Sequence, residues 1–227
     1  MGHRLTLINT DSLVFQSVFI CVYQCPKLFP IKSIFDLRLE TSNSQMTTKR
    51  AVFLDRDGVI NRTIVREGKP YPPSSKEELE ILPDAPEALA QLRDAGFNLV
   101  VVTNQPDVAR GTRTRESVEE IHATLVADGL PIHSFHACYH DDADHCNCRK
   151  PSPGMLEETA RQEGIDLSGS YMVGDRWRDV EAGQRAGCMA VFIDRNYAER
   201  KPTEPYVRVS SLKEAADWIL SQGAKPQ

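Results

Sequence analysis

The chain has 227 residues, 41% of them hydrophobic, with a formal net charge of −5 and a pI near 5.7. That length suits one globular domain with a sizeable core, and the acidic balance argues against a dedicated nucleic-acid binder. No run is long and apolar enough to span a membrane, and six cysteines are too few for a disulfide scaffold.

Residues 1–45 differ from the rest. "SLVFQSVFICVYQCPKLF" is apolar and aromatic without a helical or strand period, and "ETSNSQ" resembles a linker. Arg4 before an apolar segment is a signal-peptide feature, but Gln16 interrupts the segment and no small-x-small cleavage site follows. Cys21 and Cys25, isolated in an apolar run, read as inert. Met46 opens "MTTKRAVFLDRDG" in the manner of an ordinary protein start. Residues 1–45 are therefore expected to be an appendage, disordered or an over-called start, with the working domain in 46–227.

From Ala51 the signals alternate. "AVFLD" is an apolar run of strand length, as in a parallel strand covered on both faces. "DAPEALAQLRDAG" sets Ala85, Ala88, Leu89 and Leu92 on one helical face, with Gly96 as the stop. "FNLVVVTN" is a second buried strand, and "RESVEEIHATLVADG" a helix with Val118, Ile121 and Leu125 on one face. "SYMVGD" and "MAVFID" are further strands, with the helix "VEAGQRAG" between them. Ser211 and Glu214 are spaced as a capping box for "LKEAADWIL". Alternating units of this kind predict an α/β fold: an open, mostly parallel, Rossmann-like sheet with helices on both faces.

In such sheets ligands bind outside the carboxyl ends of the strands. Asp55 and Asp57 follow the first strand, Thr103 and Asn104 the second, and Asp175 follows "YMV". A lone aspartate there is usually a turn residue or a helix cap. Three polar strand ends on one sheet edge point instead to a site, and the close pair Asp55 and Asp57 calls for a cation.

The motifs "DRDG", "TN", "RKP" and "GDRWRD" resemble, in order and style, those of the haloacid-dehalogenase-like (HAD) phosphohydrolases. The resemblance spans roughly Ala51 to Asp194. "FLDRDGVIN", "VVTNQPDVARG", "CNCRKPSPGM" and "YMVGD" look like its subgroup of heptose-bisphosphate and histidinol-phosphate phosphatases. The resemblance implies a nucleophile, Asp55, that forms an aspartyl-phosphate. It implies Mg²⁺ held by the Asp55 carboxylate, the Asp57 backbone carbonyl and Asp175. Asp57 would protonate the leaving alkoxide and then deprotonate water, kept as an acid by the neighbouring charge of Asp55. Thr103, Asn104 and Lys150 would hold the phosphoryl oxygens. Asp179 reads either as support for the metal or as an exposed first-turn helix acid.

"CYHDDADHCNC" supplies Cys138, His140, Cys146 and Cys148, a complete tetrahedral set for Zn²⁺ in a reducing compartment. His136 and His145 stand as alternatives to His140, and unconnected cysteines in a polar loop as the plain alternative. The subgroup carries such a cluster here, which favours a structural zinc that fixes where Arg149 and Lys150 point. His122 and His133 read as packing or surface residues. The short segment after the first motif leaves no room for a cap domain, so the site should be open. Specificity would fall to this flap, Arg149 and Arg176, and the resemblance places Asn61 to Arg66, Gln105 and Arg149 near substrate. Pro106 stands where the subgroup often has serine, and the flap lacks the subgroup's usual tyrosine arrangement.

The expectation is a cytoplasmic, monomeric, Mg²⁺-dependent phosphatase of a small phosphorylated metabolite, foremost a sugar bisphosphate such as heptose 1,7-bisphosphate losing its 7-phosphate. Histidinol phosphate is the alternative substrate. A nucleic-acid terminal phosphate fits the acidic charge poorly. A zinc-stapled interaction module without catalysis is the alternative of another class, against which the four intact motifs speak.

Overall fold

A computed structural model describes residues 49–223. The expectations for residues 1–45, for Cys21 and Cys25 and for the start at Met46 lie outside the described residues.

The first strand, β1 (Ala51–Leu54), is followed by a hairpin of β2 (Ile64–Arg66) and β3 (Lys69–Tyr71). Then come α1 (Ala85–Asp94), β4 (Asn98–Asn104), α2 (Arg115–Ala127) and β5 (Ser134–Cys138). The chain continues through α3 (Gly154–Glu163), β6 (Tyr171–Gly174), α4 (Trp177–Ala186), β7 (Met189–Ile193), β8 (Val207–Val209) and α5 (Leu212–Gly223). Six strands form one sheet in the order β5-β4-β1-β6-β7-β8, every pairing parallel. The expected α/β architecture is observed.

Strand alternation sorts the core into two layers. Val52, Leu54, Leu99, Val101 and Val173 face α1, α2 and α5. Ala51, Phe53, Val100, Val102 and Met172 face α3 and α4. β1 is buried on both faces, which is why its sequence shows no polar alternation. The four expected apolar positions of α1 are its buried residues. At α5, Ser211 Oγ accepts from Glu214 N (3.1 Å), but the Glu214 carboxylate reaches Ser210 N (2.7 Å) rather than Ser211, a displaced capping box.

Chain connections leave β1 toward β4 and leave β6 toward β7 on the opposite side, so a topological switch lies between β1 and β6. The crevice above it is edged by Asp55 and Asp175. Among the described residues no cap domain stands over it: the segment after the first motif makes the β2–β3 hairpin, which turns at Glu67 and Gly68, both at positive φ (50° and 74°), and one 3-10 turn at Lys76–Glu78. Among the described residues no helix is long and apolar enough to cross a membrane.

Candidate active site

Each motif residue sits where a strand runs out. Asp55 follows β1 directly, and its backbone N–H donates to Val173 O of β6 (2.9 Å), locking two strand ends together. Gly58, at φ +91°, then turns the chain back. A Cβ there would come within 1.7 Å of Asp175 Oδ2, so only glycine lets this turn approach β6. Gly174 admits Asp179 in the same way, since a Cβ would lie 2.1 Å from the Asp179 Cβ.

The outcome is a buried group of three acids, Asp55, Asp175 and Asp179, with carboxylate oxygens within 4.8 Å of one another. Lys150 reaches into it: Nζ donates to Asp55 Oδ1 (2.7 Å) and Val102 O (2.7 Å) and pairs with Asp179 Oδ1 (2.6 Å). Burial alone would discharge this ammonium, but Asp179 and Asp55 hold its pKa above the usual lysine range. Burial pushes Asp55 up to about 6, with Asp179 and Asp57 adding repulsion that Lys150 only partly offsets. Asp175 is raised well above the usual carboxylate range by burial, then by Asp55 and Asp179, against a smaller pull from the Tyr197 hydroxyl, and neither of its buried oxygens makes a hydrogen bond of full geometry. A buried carboxylate with no donor near it but the Tyr197 hydroxyl, beside a second carboxylate, fits a hard divalent cation such as Mg²⁺.

Asp179 is not the exposed helix acid that the sequence allows. It is buried at the third position of α4, and its Oδ2 accepts from Arg176 N (3.0 Å) while Oδ1 meets Lys150.

The sequence also suggests that Asp55 keeps Asp57 protonated, and here the structure differs. Burial does push Asp57 up, but Arg56, Asn61 and Gln105 outweigh it and hold the carboxyl below its ordinary range. The Arg56 guanidinium, fully buried, donates through Nε to Oδ1 (3.2 Å) and through Nη2 to Oδ1 (3.1 Å) and Oδ2 (2.9 Å). Arg56 was readable only as the spacer between two aspartates.

Other candidate residues take the following places. Asn61 and Gln105 are buried behind Asp57, with amide nitrogens on Oδ1 (3.0 Å) and Oδ2 (2.9 Å). Thr103 lines the crevice and its Oγ1 accepts from Gln105 (3.1 Å). The Asn104 side chain grips the Lys150 backbone twice, accepting from its N (3.1 Å) and donating to its O (3.0 Å), which ties β4 to the lysine. The narrow slot over Asp55, Asp57 and Lys150, about 60 Å³, opens to an outer chamber of about 240 Å³ that includes Arg110, Arg149, Arg176 and Arg178. Arg149 and Arg178 both reach Asp142 Oδ1 (2.8 and 3.2 Å), and Arg176 pairs with Glu199. Tyr197, which the sequence did not single out, lies between flap and acids, its hydroxyl 2.8 Å from Thr63 Oγ1. Burial and then Asp175 push its phenol well up.

Beside the chamber, Cys138, His140, Cys146 and Cys148 converge. Sulfur–sulfur separations are 3.3, 3.4 and 3.7 Å, and His140 Nδ1 stands 3.3 and 3.7 Å from Cys148 and Cys138. A tetrahedron with metal–sulfur bonds of about 2.3 Å has edges of roughly 3.8 Å, so the cluster is compatible with zinc. His136 instead meets Glu163 (3.4 Å), and His145 ends the turn Asp142–Asp144 in the left-handed conformation.

Comparison with known proteins agrees with this geometry. The haloacid dehalogenase-like hydrolase family matches residues 74–187. D-glycero-D-manno-heptose-1,7-bisphosphate 7-phosphatase of Chlorobaculum tepidum is 37% identical over 182 residues, covering 71% of this chain and 86% of that protein. The D-glycero-beta-D-manno-heptose-1,7-bisphosphate 7-phosphatase of Pseudomonas aeruginosa is 36% identical over 162 residues, covering 70% and 88%. The crystal structure of D,D-heptose 1,7-bisphosphate phosphatase from B. bronchiseptica, complexed with magnesium and phosphate, superposes with a TM-score of 0.66. It is 31% identical and covers 76% of this chain and 99% of that one. Agreement of this extent, in sequence and in fold, shows that the chain belongs to the haloacid dehalogenase-like hydrolase family.

Proposed function

We propose that the chain is a Mg²⁺-dependent phosphatase of a sugar bisphosphate, foremost the removal of the 7-phosphate from D-glycero-D-manno-heptose 1,7-bisphosphate. The observation that carries this is the buried set Asp55, Asp175 and Asp179 around Lys150, open to a slot of about 60 Å³. Asp55 attacks phosphorus, the bond to the sugar oxygen breaks, and an aspartyl-phosphate forms that water then hydrolyses. Asp57, held below its ordinary range by Arg56, Asn61 and Gln105, takes up a proton as the negative charge of the substrate enters, gives it to the leaving alkoxide and takes one back from the attacking water, a role worth about 10²–10⁴-fold. Lys150 and Thr103 hold the phosphoryl oxygens, and Asn104 holds Lys150 through its backbone. Asp55, Asp175 and the Asp57 carbonyl would hold Mg²⁺, which when bound offsets the repulsion between carboxylate and phosphate. Cys138, His140, Cys146 and Cys148 would hold a structural zinc, with no position left open.

The bisphosphate reading is supported by the names of the relatives and by the outer chamber. Arg149, Arg176 and Arg178 stand there, next to the slot, where a second phosphate of the same molecule would reach. These guanidiniums pair with Asp142 and Glu199, which line the same chamber, so a second phosphate would exchange with those carboxylates, and the preference over histidinol phosphate rests on the names of the relatives. The test is phosphate release from heptose 1,7-bisphosphate, histidinol phosphate and p-nitrophenyl phosphate, each with Mg²⁺ and with EDTA. A kcat/KM highest for the bisphosphate and abolished by EDTA is expected. Faster turnover of histidinol phosphate would overturn the substrate, and metal-independent turnover would overturn the chemistry.

A further inference from the structure

Arg56 is the largest fully buried side chain described, and it is charged. An apolar residue would fill that space without the cost of desolvating a guanidinium. The acid it pairs with is Asp57, and its Nη1 is buried without a partner, so the charge is not serving a wider network of ion pairs. Its backbone carbonyl accepts from Ile60 N (2.9 Å) and Asn61 N (3.1 Å), which fixes the residue in the turn that carries Asp57.

The five hydrogen bonds to Asp57 are unequal. Oδ1 receives Arg56 twice and Asn61; Oδ2 receives Arg56 and Gln105. A carboxylate has about four lone-pair sites, so both oxygens are filled, and one donor must give way before a proton can be exchanged. Asn61 is neutral and has a second acceptor in Arg62 O (3.1 Å), but its release would leave Oδ1 with two Arg56 bonds, whereas release of Gln105 leaves Oδ2 with one, so the donor that frees an oxygen is Gln105. It is neutral, its nitrogen already has a second acceptor in Thr103 Oγ1 (3.1 Å), and Arg113 Nη1 holds its carbonyl end (3.3 Å).

We propose that Arg56 is the positioning residue of proton transfer: with Asn61 it clamps Asp57 by Oδ1, and Oδ2, released by Gln105, is the oxygen that exchanges the proton. The proposal rests on Asp57 as the group that exchanges protons with the leaving oxygen and with water. Arg56 touches neither substrate nor reacting atoms. It acts through the orientation of the carboxylate, where small misplacements are costly in rate.

The experiment uses the full chain with Mg²⁺ and two kinds of ester. p-Nitrophenyl phosphate has a leaving group that needs no proton, whereas a sugar phosphate needs one. With Arg56→Met, transfer from the nitrophenyl ester to Asp55 should persist while hydrolysis of the aspartyl-phosphate slows. The result is a burst of nitrophenolate approaching one equivalent per chain, then a steady rate at least about tenfold below wild type. On the sugar phosphate no burst should appear, and kcat should fall by about 10²-fold with little change in KM. Arg56→Lys should recover part of kcat. Burst and steady rates that fall together, or a variant indistinguishable from wild type, would overturn the proposal. Asp57→Asn is the control: if it gives no burst, the reading of Asp57 fails, and if it bursts while Arg56→Met behaves as wild type, Arg56 alone is dismissed. Should Arg56→Met not fold, Asn61→Ala, which removes the other donor to Oδ1, is read by the same two outcomes.

Discussion

Replacing Asp55 or Asp57 by asparagine removes one charge from nearly the same place but leaves different partners behind. Without the Asp55 charge, Lys150 still has Asp179 and Val102 O, and repulsion with Asp175 is eased. Asp55→Asn should therefore abolish turnover while leaving the urea midpoint unchanged or higher. Without the Asp57 charge, Arg56 is left buried with no acid, a situation that costs about 3–5 kcal/mol in comparable cases. Asp57→Asn should be severely impaired and also unfold at clearly lower urea, so equal midpoints for the two variants would contradict the account. This difference was not legible in the sequence. The acids themselves were, because polar residues that end buried strands of one sheet must share an edge. Which way Arg56 turns depends on the packing beneath Asp57, and Asp179 could not be separated from a surface helix acid until its burial was seen.

At the scale of elements, legibility followed burial. β1, β4, β6 and β7 read as apolar runs, whereas β5 is mostly half-buried and β8 is three residues long at the sheet edge, so neither stood out. In α2, His122 read only as packing or surface, and the structure gives it a measurable consequence. It stacks on Phe135 at 4.5 Å and its Nε2 has no partner. Burial, then Arg56, lower its pKa to about 4 against a small opposing pull from Glu119 and Asp57. The unfolded chain takes this proton near pH 6.5, as free histidine does, and the folded chain only near 4. Between those values the unfolded state binds more protons, so stability falls as pH drops, by up to about 3 kcal/mol. His122→Phe should remove that component, seen as a shallower loss of urea stability between pH 6.5 and 4 than in wild type. The zinc loop can be tested separately. Cys146→Ser should lower the zinc content from about one per chain and reduce kcat by up to about 10²-fold, because Lys150 follows the cluster without slack. Helix and strand content should persist by circular dichroism, since the sheet core lies elsewhere. Full turnover with no zinc found by elemental analysis would return the cysteines to an ordinary loop.

At the scale of the molecule, every described element and every residue assigned to the site lies after Met46. A chain begun at Met46 should keep its thermal midpoint and its turnover; a loss of either would show that residues 1–45 contribute to the domain. The order in which the sheet is filled has a further consequence. Of the described strands β1 is translated first, yet it lies inside the sheet: Ala51 pairs with Asn98, and Val52 with Tyr171. Pairings between such distant segments make folding slow, because the long loops must close before any contact rewards them. A nascent chain thus carries Asp55 long before Asp175 exists to stand beside it. Competence to bind the cation is then acquired late, when β6 slides in next to β1, and magnesium would report that step, ahead of the addition of β7 and β8 to the sheet edge.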